Sequence, residues 1–533
     1  MYDVLVVGAG GAGLSAALSA LKETQSVAIL SKSYPTRSQT SMAQGGINAA
    51  LGNSGEDSIQ SHIDDTLKSA ASLAEESFVE KLCGDAPEAI NWLDSIGVPF
   101  SRTKEGTIAQ RKLGGASASR AAYAQDFTGL KILHTLYDQV IKSNIELINE
   151  HFMINLIVEN EQIEGITALD IRSGEVKAIY AKSVILATGG YAQMYHGFST
   201  NSSATTGDGV AAAIRAGAKL SNVEFVQFHP TALKKSKILI SESARGAGGY
   251  LLNAKKERFT DELAPRDKVA RAIFKEIENS GEVWLDIRHL GEEFIDENLP
   301  QEVKLAKLYE HIDPVHELIP IMPIAHYSMG GIEVNAKGMS IVDGLFACGE
   351  SADHKVHGAN RLGGNSLLEL IVFGKESGKN AALYAKELTT FHNSDKQLQK
   401  DRELIDSIYN QDNSINFYER RNLLGESFYK NAGLFRDEEG LQNALSFLED
   451  IKDELMQMGI SDKTREYNTN LVELLEFRNI VELSEIVLNA AIKRKESRGA
   501  HFRIDYPKKD DDNFLYSAHS YRINGQLIQD FRE

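Results

Sequence analysis

Apolar positions open the chain. Val4–Val7 is an uninterrupted hydrophobic run, followed by Gly8-Ala9-Gly10-Gly11-Ala12-Gly13 and the Ala- and Leu-rich stretch Ala12–Leu21. This order predicts a buried strand, a tight turn and a helix. Glycines in this G-x-G-x-x-G spacing let the backbone approach a pyrophosphate at the helix N-terminus, so a dinucleotide-binding unit stands first. Ser26–Leu30 reads as a second short strand. Ser31-Lys32 follow it where many dinucleotide folds carry a ribose-binding acid, which weakens a nicotinamide reading. Next comes Ser33–Gly52, SYPTRSQTSMAQGGINAALG, whose hydroxyls and amides suit cofactor binding and whose INAAL end packs down. Ser183–Leu186 is a further buried strand, and Ala204–Gly217 a turn feeding an Ala-rich helix. Residues 1–225 thus alternate strands and helices, the pattern of an α/β fold. Residues 226–325 are less regular and carry the charged run KKERFTDELAPRDK. From 389 to 495 the pattern is helical, with Leu471, Leu474, Leu475, Ile480, Leu483, Ile486 and Val487 at helical spacing. A polar tail, 496–533, is interrupted by Lys508–Asp512.

At 533 residues the chain exceeds one ordinary core, and two or three domains are expected. The formal net charge of −18 opposes a nucleic-acid partner, and an anionic substrate would need a local basic pocket. Two cysteines, Cys83 and Cys348, are too few for an iron–sulfur cluster or structural zinc held by this chain alone. Tyr2-Asp3 leads straight into the first strand without a signal peptide, and no apolar run reaches ~20 residues. A cytoplasmic location is therefore expected, with any membrane association supplied by a partner.

In detail the chain resembles the flavoprotein subunits of succinate dehydrogenase and fumarate reductase. TRSQT-x-x-AQGGINAALG is similar to that family's flavin-contacting loop. Matching stretches follow in order: GVPFSR from Gly97, LHTL from Leu133, ATGG from Ala187, TGDG from Thr206 and EFVQFHPT from Glu224. APRD from Ala264, AHYSMGG from Ala325, HGANRLGGNS from His357 and KRKESRGAH from Lys493 complete the series. The resemblance implies a Rossmann-like FAD-binding domain in two parts, 1–225 and 326–388, with an inserted α+β capping domain, 226–325. A C-terminal helical domain, 389–495, and the tail, 496–533, follow.

It also implies functional residues. Contacts to FAD would come from Gly8, Gly10, Gly11, Ala12, Gly13, Ser31, Lys32, Ser38, Gln39, Thr40, Gln44, Gly45 and Gly46. Further contacts would come from Ala187, Thr188, Gly189, Asp208, Glu350, Asn365, Ser366 and Leu367. Arg266 occupies the family's position for the proton donor and acceptor. Glu242 and Arg245, three apart and on one face if helical, match its proton path from solvent. His229, His326 and Arg361 match substrate-carboxylate contacts, joined by Ser241 where the family usually has Thr. Lys375 and Arg498 read as structural or partner-facing. The partners implied are an iron–sulfur subunit and a membrane anchor subunit exchanging electrons with quinone. That would hold the chain peripherally on the cytoplasmic face of the inner membrane.

Departures refine the reading. Most membrane-bound members carry Ser-His-Thr, whose His bonds covalently to the flavin; here the triplet is Ser38-Gln39-Thr40. An amide cannot form that bond, so non-covalent FAD is expected, with a lower potential that favours fumarate reduction. Ala247 stands where related sequences carry Glu. L-aspartate oxidase shares the fold, the FHPTAL and LAPRD motifs and the missing His. It offers a Glu to the substrate ammonium where this chain has Leu113, and Thr-Cys-Gly-Gly where this chain has Ser328-Met329-Gly330-Gly331. A non-catalytic flavin subunit is the remaining alternative, which the presence of Arg266 and Arg361 opposes.

Overall fold

Five parallel strands carry the nucleotide-binding half of the molecule. A computed structural model describes residues 1–531, so positions 532 and 533 of the predicted tail lie outside the described residues. The sheet runs Glu146–Asn149, Val27–Ser31, Tyr2–Val7, the second half of Glu175–Leu186, and Leu345–Ala347. Register is fixed by pairs such as Val4 with Val27 and Val4 with Ser183. Val4, Leu5 and Val6 are fully buried: Val4 and Val6 share a core with Leu14, Ala16 and Leu368, and Leu5 shares another with Phe152, Met153 and Ile166. The strand Glu175–Leu186 is longer than its apolar run suggests. Its first half pairs antiparallel with Gln162–Asp170, which in turn pairs with His151–Glu159. That half is mostly part-exposed, so its sequence shows no hydrophobic run.

The first helix is Gly11–Ala20, and it packs on the long helix Asn365–Glu387. A Cβ on Gly378 would lie 2.0 Å from the Ala16 carbonyl oxygen, so the two backbones meet at a spot that admits only glycine. This contact brings the two sequence-distant halves of the nucleotide domain together.

The capping region is more regular than its sequence pattern suggests. An antiparallel sheet orders Val226–Leu233, Ile319–Ser328, Trp284–Asp286 and Tyr250–Leu252. Helices Arg266–Ser280, Glu292–Asn298 and Pro300–Glu310 complete it around a separate core that includes Leu233, Ile240, Val269 and Ile321. Every residue of Val226–Leu233 is buried, which erases the alternation that announces a strand.

Helices Lys396–Asn410, Phe417–Asn431, Glu438–Glu454 and Thr469–Lys493 form the helical region. The apolar positions from Leu471 to Val487 named above are all buried there. The tail is not merely polar. Its hairpin, His519–Ile523 with Gln526–Asp530, extends a sheet through Leu220–Ser221. Arg494 and Arg498 are fully buried and share Glu496, while Arg494 Nε also reaches Glu224 at 2.6 Å. Arg498 further donates to the Ala71 carbonyl at 2.9 Å, so it has a structural role.

Candidate active site

The carboxyl ends of the parallel strands open into one long cavity, the position where such sheets bind ligands. It encloses about 1620 Å³ free of protein atoms, its open mouth included. Gly8 turns the first strand away at φ +110°, and a Cβ there would lie 2.2 Å from the Ala187 carbonyl oxygen. Gly10, Gly11 and Ala12 then line the cavity where the first helix begins without a side-chain cap. Ser366 and Leu367 line it at the start of the long helix, so two helix N-termini turn positive dipole ends toward it, the Gly11 N–H being taken by Thr40 Oγ1 at 3.1 Å. Ser31, Lys32, Ser38, Gln39, Thr40, Gln44, Gly45, Gly46, Thr188, Gly189, Asp208 and Glu350 complete the wall.

Several wall atoms are buried without a protein partner: Ser38 Oγ, Gln44 Nε2 and Oε1, and Thr188 Oγ1. Such donors and acceptors fit a cofactor with a pyrophosphate and a polar-edged ring. Gln39 Oε1 accepts the Ser202 N–H at 2.7 Å, so its amide is fixed at the wall. Lys32 Nζ bridges Asp208 and Glu476, each at 2.6 Å. Burial lowers its affinity for a proton, but these two carboxylates outweigh burial and push it up to about 12. Burial pushes Glu350 up to about 8, against the Ser328 N–H it accepts at 3.0 Å.

Two residues expected at the cofactor do not line the cavity. Gly13 serves packing, since a Cβ there would lie 1.9 Å from the Gly8 carbonyl oxygen. The Asn365 amide is taken up by Asn48 Nδ2 at 2.7 Å, His62 Nε2 at 3.0 Å and Thr66 Oγ1 at 3.0 Å.

At the cavity's inner end the capping region contributes His229, Ser241, Glu242, Arg266 and His326, opposite Arg361 of the nucleotide domain. Arg266 begins its helix; Nε and Nη2 both donate to Glu242 Oε2, the former at 2.9 Å. Glu242 Oε1 accepts the Gly114 N–H at 2.8 Å. Burial would raise the Glu242 carboxyl, but Arg266 and Arg245 hold it below the usual range. Glu242 and Arg245 do share one helical turn, Glu242–Gly246. Arg245 nonetheless lies behind the cavity wall, with Nη2 3.8 Å from Glu242 and Nη1 on the Glu262 carbonyl at 2.5 Å.

Arg361 Nη1 donates to Ser366 Oγ at 2.9 Å, and its guanidinium stacks 4.2 Å from the centre of the Tyr327 ring. Tyr327 in turn donates to Glu369 Oε2 at 2.7 Å, which His357 Nε2 meets at 3.0 Å. Burial, then Arg266, bring Arg361 down to about 10, so it stays charged at neutral pH. His229 and His326 lie 4.9 Å apart, ring centre to ring centre. Burial and neighbouring cations depress both well below the ordinary imidazole value, so at neutral pH each is an uncharged N–H donor. Their Nδ1 atoms are engaged by Thr231 and Thr200, the latter at 2.7 Å.

Sequence reasoning missed Gln227, whose Oε1 joins Arg266 Nη1 and Arg361 Nη2 at 3.1 Å each. Its position two residues before His229 in EFVQFHPT was the available signal, because both face one side of a strand. Glu302 was missed as well. Burial and Asp126 push its carboxyl up to about 8, and burial pushes Asp126 up to about 6. A raised acid stabilises the fold fully below its unfolded value, near 4.5, and that contribution is lost as pH climbs through the folded value. Between pH 5 and 8.5 the wild type should therefore lose on the order of 1–4 kcal/mol more stability than Glu302→Gln. Urea unfolding at the two pH values checks this, and equal losses would contradict it.

Known proteins share this architecture. Residues 3–367 match the family model described as FAD binding domain, and residues 421–529 match that described as fumarate reductase flavoprotein C-term. The chain is 41% identical over 567 residues to the succinate dehydrogenase flavoprotein subunit of Rickettsia conorii, covering 100% of this chain and 95% of that protein. It is 41% identical over 552 residues to the 8-methylmenaquinol:fumarate reductase flavoprotein subunit of Wolinella succinogenes, covering 98% and 89%. An E. coli quinol fumarate reductase structure, a FrdA mutant, superposes with a TM-score of 0.95 at 34% identity, covering 99% of this chain and 96% of that one.

Proposed function

The chain belongs to the succinate dehydrogenase/fumarate reductase flavoprotein family, and from that premise we propose that it interconverts fumarate and succinate at a non-covalently held FAD. One observation carries the reading: in a chain of net charge −18, Arg266, Arg361, His229 and His326 converge on the inner end of the cavity. Such a cluster suits a small dianion. FAD, when bound, supplies the hydride-transfer chemistry. Arg361 binds one carboxylate as a planar fork, steadied by Tyr327 and Gln227. His229, Ser241 and His326 donate to the other carboxylate and polarise it as charge develops. Arg266 exchanges the proton at the second carbon. A guanidinium ordinarily keeps its proton, so the proton it gives up is returned at once through Glu242 on its Nε edge, with Arg245 next on the route to solvent.

Leu113 lines the same cavity and is 1% exposed. An amino-acid substrate would bury its ammonium beside that apolar side chain, at a cost of several kcal/mol. This favours a dicarboxylate over aspartate. Electrons pass to or from an iron–sulfur subunit, and a membrane anchor subunit links them to quinone. Supporting this, the chain is similar to the 8-methylmenaquinol:fumarate reductase and quinol fumarate reductase flavoproteins, and Cys83 and Cys348 are each buried singly.

The test is anaerobic turnover of the purified, FAD-loaded chain with reduced methyl viologen and fumarate, beside aerobic peroxide release with L-aspartate. Fumarate reduction without aspartate oxidation is expected, and aspartate-dependent peroxide would overturn the substrate assignment. With Gln39 in the linking position, acid precipitation should release essentially all the FAD into the supernatant. A flavin potential as high as in covalently linked members would contradict the preference for fumarate reduction.

A further inference from the structure

Helix Pro300–Glu310 belongs to the capping region yet begins against the nucleotide domain. Asp126 of that domain accepts the N–H groups of Gln301 at 2.7 Å and Glu302 at 3.2 Å through Oδ2. The helix has no side-chain cap of its own, so Asp126 satisfies its first donors and complements its dipole across the domain boundary. Both Asp126 and Glu302 are 0% exposed. Glu302 Oε1 accepts the Ser241 N–H at 3.0 Å and the Ser243 hydroxyl at 3.4 Å, while Oε2 is buried without a partner.

Ser241 caps the short helix that carries Glu242, its Oγ accepting the Ser243 N–H at 3.1 Å, and it lines the cavity. The positive charge of Arg111 lowers both carboxyls, against burial. Arg111 also holds the Gly45 carbonyl at 2.8 Å and the Gln44 carbonyl at 2.9 Å, which belong to the cavity wall. An apolar side chain in place of Glu302 would avoid the desolvation penalty but strand a buried Ser241 N–H. The carboxyl therefore answers a local need beside the substrate.

We infer that Glu302 is a positioning residue for dicarboxylate binding. It reaches across the capping region to fix Ser241 through its N–H, and Asp126 of the opposite domain fixes Glu302. Ser241 is then correctly set only while the two domains are docked. The inference rests on the reading of this cavity as a dicarboxylate site.

Fumarate KM and kcat of the FAD-loaded full chain, with reduced methyl viologen as donor, test it. Glu302→Ala should raise KM about tenfold with kcat changed less than about threefold, the scale of one lost hydrogen bond beside the substrate. Glu302→Gln keeps an oxygen acceptor for the Ser241 N–H and should recover most of that loss. Asp126→Ala, which removes the acceptor for the Gln301 and Glu302 N–H groups, should raise KM in the same direction and add little to Glu302→Ala. A residue needed for folding alone would lower the yield of FAD-loaded protein without splitting KM from kcat or responding to the amide. An unchanged KM in Glu302→Ala overturns the inference; if that variant fails to hold FAD, an unchanged KM in Asp126→Ala does so. Wild-type protein that does not reduce fumarate brings down the dicarboxylate reading, and this inference with it.

Discussion

Arg266→Ala should abolish fumarate turnover, by about 10³-fold or more, while FAD remains bound. General acid–base groups contribute about 10²–10⁴-fold, and here the same side chain is also a charge at the substrate end of the cavity. Alanine has a second effect. It leaves Glu242 fully buried with its nearer cation gone, since Arg245 lies at 3.8 Å. Breaking one partner of a buried pair costs about 3–5 kcal/mol. Arg266→Lys separates the two effects: it keeps a charge for Glu242, so stability should be largely retained, but loses the fork that spans Glu242 and Gln227. Lysine should still leave turnover depressed by about 10²-fold or more. Full turnover in either variant, measured with reduced viologen under anaerobic conditions, would remove Arg266 from the chemistry.

Arg361→Lys is the second large effect expected. The guanidinium spends one nitrogen on Ser366 and one on Gln227 and stacks on Tyr327, which orients its buried Nε edge. Charge-assisted hydrogen bonds are worth about 1.5–3 kcal/mol each. Lysine preserves the charge but not the planar pair, so kcat/KM should fall about 10²-fold. Flavin content should not change, because Ser366 and Leu367 keep their positions at the start of the long helix. A loss below about threefold would show that the carboxylate is held elsewhere.

Much of the nucleotide half was legible because its chemistry is local. The run Val4–Val7 with its glycine turn encodes strand, turn and helix within a few residues, and both were found within a residue or two of their ends. The capping sheet was not legible. Val226–Leu233 is buried throughout and so shows no period of two, while its partner Ile319–Ser328 opens on the unbroken apolar run IPIMPIA, which hides the alternation of its burial. The same limit applies to the site. Arg266, Arg361 and the two histidines sit in distinctive local motifs, whereas Gln227 and Glu302 act through neighbours that only folding brings near. Asn365 illustrates the reverse error: its motif lies at the cavity, but its amide turns inward to Asn48, His62 and Thr66.

The seating of the first helix on the long helix has a consequence during synthesis. Ser19 bonds to the Lys375 carbonyl, 356 positions downstream. At about 5–20 residues per second, the ribosome needs roughly 20–70 s to deliver that partner after the opening strand has emerged. Throughout that interval the glycine turn and the first helix lack the long helix that completes the core around Val4 and Val6. The nascent chain therefore spends most of its time on the ribosome with the Val4 and Val6 face of its first strand only partly covered.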